Sequence, residues 1–173
     1  MMRNNENKTE SCACVFHFMG KISCWIQKFS NDLIAFIARF GIAATFWLSG
    51  QTKVDGFKLN FFSGDFELGL PKLSESVVSL FADEYKLPIL PSDIAAIMAA
   101  SAEHIFPILL LIGLATRFSA LALLGMTAVI QVFVYPDAYA THATWAACLL
   151  FLMAQGAGRF SLDYVFWGRK TAH

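Results

Sequence analysis

Four long apolar runs limit the folds that this chain can adopt. Each run is about 18–22 residues long and contains very few ionisable side chains. Because a helix rises about 1.5 Å per residue, each run can cross a hydrocarbon core of roughly 30 Å. A soluble bundle would carry charges on its outer faces at every turn, and these runs do not. The runs are 33–50, 94–115, 118–135 and 138–157.

Composition favours the same interpretation. Apolar residues make up 57% of the chain and charged residues 15%, and the formal net charge is zero. Soluble chains average roughly 45–50% and 25%. Zero net charge argues against a nucleic-acid partner. Since the apolar runs are continuous and do not alternate, they favour helices over barrel strands. The prediction is an all-α, multi-pass fold, a four-helix transmembrane bundle.

Three segments are predicted along the chain. Residues 1–30 form a cytoplasmic tail and an interfacial amphipathic helix, 31–159 form the membrane domain, and 160–173 form a second cytoplasmic tail. The helix is predicted over 12–29, where apolar residues follow a helical stripe and polar residues take the other side. Two roles stay open for it, packing on the bundle and docking a partner.

Lysine and arginine placement predicts the orientation. The short segment 136–141 has none, whereas the segments on the other side carry many. Both chain ends and the Arg117 turn are therefore expected in the cytoplasm, with a long outer loop between the first two helices. That loop, 51–93, has acidic residues that offset its lysines, and a short amphipathic helix is predicted over 73–85. The cytoplasmic cations are Arg3, Lys8, Lys21, Lys28, Arg117, Arg159, Arg169 and Lys170.

Ionisable groups at membrane depth cost a few kcal/mol or more unless they are paired. Glu103 lies nearest the middle of its run and shares a helical face with Ala95 and Ala99. Small side chains let helices approach closely, so Glu103 is expected to point inward. An Arg39–Glu103 ion pair follows as a prediction, with snorkelling of Arg39 to the headgroups as its alternative. Such a pair could be a structural clamp or part of a catalytic site.

Several other polar residues fall toward the outer half of the predicted bundle. With Glu103 they could line a pocket that opens beneath the long loop and serves a quinone headgroup, a proton path or a metal ion. Two histidines and a carboxylate without fixed spacing do not predict a metal site. Simpler roles are an interfacial histidine at His142 and a helix–helix hydrogen bond at His104. The pocket candidates are Lys53, Asp55, His104, Gln131, His142 and Trp145.

The four cysteines carry little information. Cys12 and Cys14 fall in the predicted cytoplasmic segment, where a lone C-x-C is usually incidental, and Cys148 is expected to be a packing residue. The outer loop has no cysteine, which argues against a thiol–disulfide relay on that face. The sequence contains no P-loop, dinucleotide fingerprint or GxSxG motif.

An ordered set of segments between Arg39 and Asp163 resembles the DoxX family of small bacterial membrane proteins. Each segment alone is unspecific, and the set is specific. The segments are 49–53 (SGQTK), 81–96 (FADEYKLPILPSDIAA), 102–127 (AEHIFPILLLIGLATRFSALALLGMT), 129–145 (VIQVFVYPDAYATHATW) and 156–163 (GAGRFSLD).

The resemblance implies a four-helix protein of the bacterial cytoplasmic (inner) membrane. It implies an accessory role in a membrane redox system, with quinone as the candidate cofactor and membrane or redox proteins as partners. A non-enzymatic scaffold or assembly factor stays open, as does a small homo-oligomeric transporter. The sequence shows no complete catalytic constellation, so whether the protein is an enzyme is also open. The positions to test are Arg39, Lys53, Glu103, Arg117 and His142.

Overall fold

The computed structural model describes residues 31–60, 63–85, 88, 90–166 and 168. The predictions for residues 1–30, including the amphipathic helix and the Cys12–Cys14 pair, lie outside these residues, as does most of the segment after 166. In chain order the elements are α1 (Asn31–Gln51), β1 (Val54–Asn60), β2 (Asp65–Leu73), α2 (Glu75–Leu80), a π-helical turn (Phe81–Tyr85), α3 (Ser92–Ile112), α4 (Thr116–Val129), a second π-helical turn (Ile130–Val134), a 3-10 turn (Pro136–Ala138), α5 (Tyr139–Gln155) and α6 (Leu162–Phe166).

The long helices follow the predicted apolar runs. Among the described residues, three helical segments are long and apolar enough to cross a membrane: Asn31–Gln51, Ser92–Ile112 and Thr116–Val134. The last of these is α4 together with the π-helical turn that continues it. Helix α5 follows the fourth run but has 17 residues. The mostly helical prediction is therefore confirmed.

These helices pack as antiparallel neighbours, with α1 against α3 and α5, and α4 against α3 and α5. Their shared core is built from large apolar side chains with almost no exposure, whereas many isoleucines, leucines and phenylalanines on the outer faces are exposed. A helix that is apolar on every side suits a lipid environment. The core includes Phe46, Leu110, Leu123, Leu149 and Leu152.

The all-α prediction is wrong in the long connection, where β1 and β2 form an antiparallel hairpin. Its strands alternate apolar and polar residues over only a few positions, which is too short a pattern to stand out beside four helical runs. Gly56, at φ +80°, and Gly69 lie close together, and a Cβ on Gly69 would collide with the Gly56 carbonyl oxygen. After the hairpin, α2 and the π-helical turn confirm the short helix predicted over 73–85, except that Leu73 belongs to β2 and the helix begins at Glu75.

Helices α1 and α3 are offset along their axes. Gly50, near the end of α1, lies against Glu103 and His104, and a Cβ there would be 2.9 Å from the His104 ring. Since Glu103 is 11 residues after Ser92, where α3 begins, the first three turns of α3 extend about 16 Å past the end of α1. These turns are covered by Val77 and Phe81.

The predicted Arg39–Glu103 ion pair is wrong. Arg39 lies beside Gly113, ten residues from Glu103 on the same helix, which is a separation of about 15 Å. Its Nη2 donates to the Phe160 carbonyl oxygen at 2.6 Å, and Glu103 is paired with Lys53 instead. The alternative prediction, that the Arg39 side chain extends to the headgroups, is also wrong, because Arg39 is only 1% exposed.

The segment after α5 packs on the ends of the helices. The Asp163 carboxylate accepts hydrogen bonds from the backbone amides of Ala115 (2.8 Å) and Thr116 (2.9 Å), and so caps the first turn of α4. At the same end, the Arg159 amide donates to Asp32 of α1 at 2.9 Å. Residues predicted as the start of a tail therefore close this end of the bundle, called here the Arg39 end; the opposite end is called the hairpin end.

Candidate functional site

A cavity of about 400 Å³ lies in the hairpin half of the bundle, beneath the π-helical turn that follows α2. All four long helices contribute to it. Its polar lining is confined to a few side chains, which include Ser49, Lys53, Glu103 and His142. The rest of the lining is mainly apolar and includes Phe46, Met98, Ala102, Phe106, Met126 and Trp145.

A buried ion pair forms the polar part of the cavity wall. Lys53 Nζ is 2.6 Å from Glu103 Oε2, and the two side chains are 10% and 3% exposed. Ser49 joins them, since its hydroxyl donates to Glu103 Oε1 at 3.2 Å and accepts from Lys53 Nζ at 3.1 Å. Lys53 follows α1 by two residues, so its side chain reaches back one turn to Ser49. The Glu103 carboxylate therefore has a counter-charge in Lys53 and a hydrogen bond from Ser49, as a buried charge at membrane depth requires.

Small residues surround Glu103 on both sides of the contact. Ala95 and Ala96 of α3 pack against Val77 and Phe81, whereas α1 approaches α3 closely at Gly50, which lies against Glu103. Further along α3, Pro107 has no N–H, so the Glu103 carbonyl lacks the bond that a helix normally gives it. Glu103 thus lies at the contact between α3 and α1. Its backbone carbonyl oxygen lacks the usual hydrogen bond from the helix and can accept one from another group.

His142 enters the cavity from α5 in a defined tautomer. Gln131 Nε2 donates to the Pro136 carbonyl at 2.6 Å, so its Oε1 is the atom that faces His142 Nδ1 at 2.7 Å. Because that oxygen can only accept, Nδ1 carries the proton and Nε2 is an acceptor when the ring is neutral. The ring also contacts Trp145, with centroids 5.1 Å apart. Gln131 therefore positions His142 without lining the cavity itself.

Two tyrosines lie at the outer wall of the cavity. Tyr85 ends the first π-helical turn, Tyr135 directly follows the second, and their hydroxyls are 3.4 Å apart. Burial raises the pKa of Tyr85, and the hydrogen bond to Tyr135 raises it further. The phenol therefore stays protonated at neutral pH and can donate a hydrogen bond.

His104 lies outside the cavity, on the side of α3 that faces the hairpin. Its Nδ1 donates to the Ala100 carbonyl at 2.7 Å, which leaves Nε2 to accept from Gln51 Nε2 at 3.0 Å. The other atom of that amide, Gln51 Oε1, accepts from the Leu59 amide at 2.7 Å. The simpler role, a helix–helix hydrogen bond, is confirmed for His104, and the bond extends to β1.

The predicted pocket residues are thus divided by the structure. Lys53, Glu103, His142 and Trp145 line one cavity, and Gln131 lies directly behind it. His104 faces the hairpin, Asp55 is exposed on β1, and Arg39 is at the other end. Within the described residues no three His, Cys, Asp or Glu side chains group as a metal would need.

Sequence reasoning missed Ser49, Tyr85 and Tyr135. Ser49 was detectable, because it precedes Lys53 by one helical turn. The tyrosines were not, because they are 50 residues apart in sequence and meet only through the packing of two irregular turns.

These features define a small helical membrane protein with an apolar cavity built around an ion pair. The chain belongs to the DoxX family, whose model matches residues 34–136. A protein of Haemophilus influenzae, named only as uncharacterized, is 31% identical over 150 residues, which cover 81% of this chain and 87% of that protein. No solved structure matches the chain. Family membership and the apolar helices place the protein in a lipid bilayer.

Proposed function

We propose that this protein is an accessory subunit of a quinone-linked redox system in the bacterial cytoplasmic membrane, and that its cavity binds a quinone ring. The observation that carries the proposal is an otherwise apolar cavity whose wall contains a buried, hydrogen-bonded ion pair. Ligand sites of this kind, apolar with a few placed polar groups, fix the orientation of a small amphipathic molecule.

The polar groups match the chemistry of a quinone. Its two carbonyl oxygens accept hydrogen bonds, and the Lys53 ammonium and the Tyr85 hydroxyl are donors on the cavity wall. In the reduced form the hydroxyls also donate, and His142 Nε2 is an acceptor for one of them. The rings of Phe46, Phe106 and Trp145 supply apolar contacts for a flat ring.

The cavity also suits a ligand that arrives through lipid. Met98 of α3 and Val129 of α4 line it, and yet they are 55% and 41% exposed. Side chains that face both the cavity and the outside mark a lateral opening between these helices. A quinone dissolved in the bilayer could enter there and leave its tail among the acyl chains.

Binding of ubiquinone-1 to the purified protein in detergent tests the proposal. Glu103→Gln is expected to weaken binding about 10- to 100-fold, because a neutral amide no longer holds Lys53 in place to make its charge-assisted hydrogen bond to the ligand, a loss of about 1.5–3 kcal/mol. Equilibrium dialysis with quantified quinone measures the difference, and extraction of co-purified quinone gives an independent readout.

His104→Gln is the matched control, since it is adjacent on α3 but faces the hairpin and keeps hydrogen-bonding atoms. Its affinity should equal that of the wild type. Wild-type protein that neither binds ubiquinone-1 nor co-purifies with quinone, alone or with its partners, contradicts the proposal. Equal weakening by both substitutions contradicts the assignment to this cavity.

The proposal includes a membrane domain over 31–159 with α5 as its fourth span, both chain ends in the cytoplasm, and tails over 1–30 and 160–173. It is supported by Arg117 and Arg159, which lie at the Arg39 end, and by the absence of lysine and arginine from 136–141. Phosphatase fusions after Asp137 are expected to be active and fusions after His173 inactive, with fluorescent-protein fusions giving the reverse. The same reporter active at both positions would refute the orientation.

A further inference from the structure

The hairpin turns back along α1 after leaving its end. Leu59 of β1 donates its amide to Gln51 Oε1 at 2.7 Å, and its carbonyl accepts from Trp47 Nε1 at 3.0 Å. Trp47 precedes Gln51 by four residues, which is about 6 Å along the helix axis. β1 therefore runs beside the last turn of α1 and does not extend away from the bundle.

One face of the hairpin is apolar and continues past the bundle. The cross-strand pairs Phe57–Leu68 and Leu59–Phe66 share a face, because paired residues point to the same side of a sheet. Phe57 and Leu59 are half-buried, and the Phe57 ring meets Trp47 at 6.5 Å. On β2 the same apolar face extends beyond the part that packs on α1, and Leu68 is 81% exposed.

The other face of the hairpin is charged. Lys58 and Glu67 are cross-strand partners, and both are exposed. An apolar face beside a charged face is the pattern of an element that lies between lipid and water.

The space beneath the apolar face of the hairpin borders the lipid-facing surface of the helices. An apolar groove of about 270 Å³ runs between α1 and α3 and ends under Leu59 and Asn60 of the hairpin. Its walls include Leu48 and Leu111, which lie on candidate spans and are exposed. The groove therefore joins the hairpin to the surface that acyl chains cover.

Helix α3 continues past the level where the hairpin starts. Gly50 is level with Glu103, and the exposed Ile94 of α3 lies nine residues further out, about 13 Å. The base of the hairpin is therefore flanked by exposed apolar side chains of α3.

We infer that the hairpin is a membrane-embedded anchor, with the apolar face of β2 seated among the acyl chains of the leaflet at the hairpin end and one acyl chain filling the groove beneath it. The charged face of Lys58 and Glu67 turns toward the headgroups and water. The hairpin fixes the register of α1 against that leaflet. This inference is independent of quinone binding.

Site-directed fluorescence tests the inference in the full chain. Leu68→Cys and, as the matched control on the opposite face, Glu67→Cys are labelled with a nitrobenzoxadiazole probe after replacement of Cys12, Cys14, Cys24 and Cys148 by serine. The protein is reconstituted at low density into vesicles of phosphatidylethanolamine and phosphatidylglycerol. The Leu68 probe is expected to be quenched at least about twofold more strongly than the Glu67 probe by lipids with a nitroxide near the glycerol, with the order reversed for aqueous iodide.

Leu70→Cys provides a second probe, because Leu70 is 83% exposed and its replacement leaves the core intact. Equal access of iodide to the Leu68 and Glu67 probes would overturn the inference. So would shielding of Leu68 that disappears when the protein is diluted among vesicles, which would identify a second copy as the cover. Shielding found in native membranes and lost in the reconstituted vesicles would identify another protein and would also overturn it.

Discussion

Replacing Lys53 with methionine is expected to destabilise the protein by about 3–5 kcal/mol, because it leaves the Glu103 carboxylate buried without its counter-charge. Protonation of Glu103 limits the loss without removing it, since a neutral carboxyl still loses the short bond to Lys53. The thermal unfolding midpoint of the purified protein in dodecyl maltoside, followed by circular dichroism, measures the effect.

The double variant Lys53→Met with Glu103→Leu separates stability from function. It removes both charges and fills their volume with apolar atoms, so the unfolding midpoint should return close to the wild-type value. Quinone binding should stay weakened, since the Lys53 ammonium, the charged donor of that wall, is absent. If the double variant recovers both stability and binding, the ion pair is only a structural clamp. If Lys53→Met alone is as stable as the wild type, the pair contributes nothing measurable.

Gly113→Ala is expected to cost about 2–4 kcal/mol, combining the left-handed backbone penalty with overpacking. Gly113 ends α3 at φ +70°, and an added Cβ would collide with Arg39 Nη1 and lie 2.5 Å from Ser161 Cβ. Arg39 cannot move aside freely, because it is buried and bonded to the Phe160 carbonyl. The same unfolding measurement applies.

Gly125→Ala is the matched control for this prediction. Gly125 lies inside α4, where an added Cβ meets no atom within 4 Å. Alanine there should be neutral or stabilise the protein by up to about 1 kcal/mol, since it restricts the unfolded chain. Equal effects at positions 113 and 125 would show that the Arg39 end is not closed as tightly as the structure indicates.

The helices could be predicted from the sequence because a continuous apolar run of about 18–22 residues is best explained as a helix that crosses the bilayer. The hairpin could not, because its alternation covers few residues and depends on Trp47 and Gln51 of α1 to hold Leu59. Tertiary contact decides the structure there. The short helix before Tyr85 was detectable because its apolar residues already share one face.

The candidate site was half predictable for a related reason. The small residues around Glu103 correctly indicated a buried carboxylate, but the partner depends on how α1 and α3 are offset. Sequence does not give that offset. Arg39 lies inside an apolar run and was therefore the expected partner of Glu103 at membrane depth. Lys53 lies beyond that run and reaches Glu103 only because the chain folds back after α1.

The position of the core relative to the cavity has a consequence for proton traffic. Phe46 and Leu110, both fully buried, lie along the helices between Glu103 and Arg39, and with Leu123 they belong to an apolar core that separates the two ends. A proton that the proposed quinone gains or gives up is therefore expected to exchange on the hairpin side, where Tyr85 and Tyr135 lie at the outer wall of the cavity. Proton exchange at such a site would be restricted to one side of the membrane, because the apolar core closes the other side.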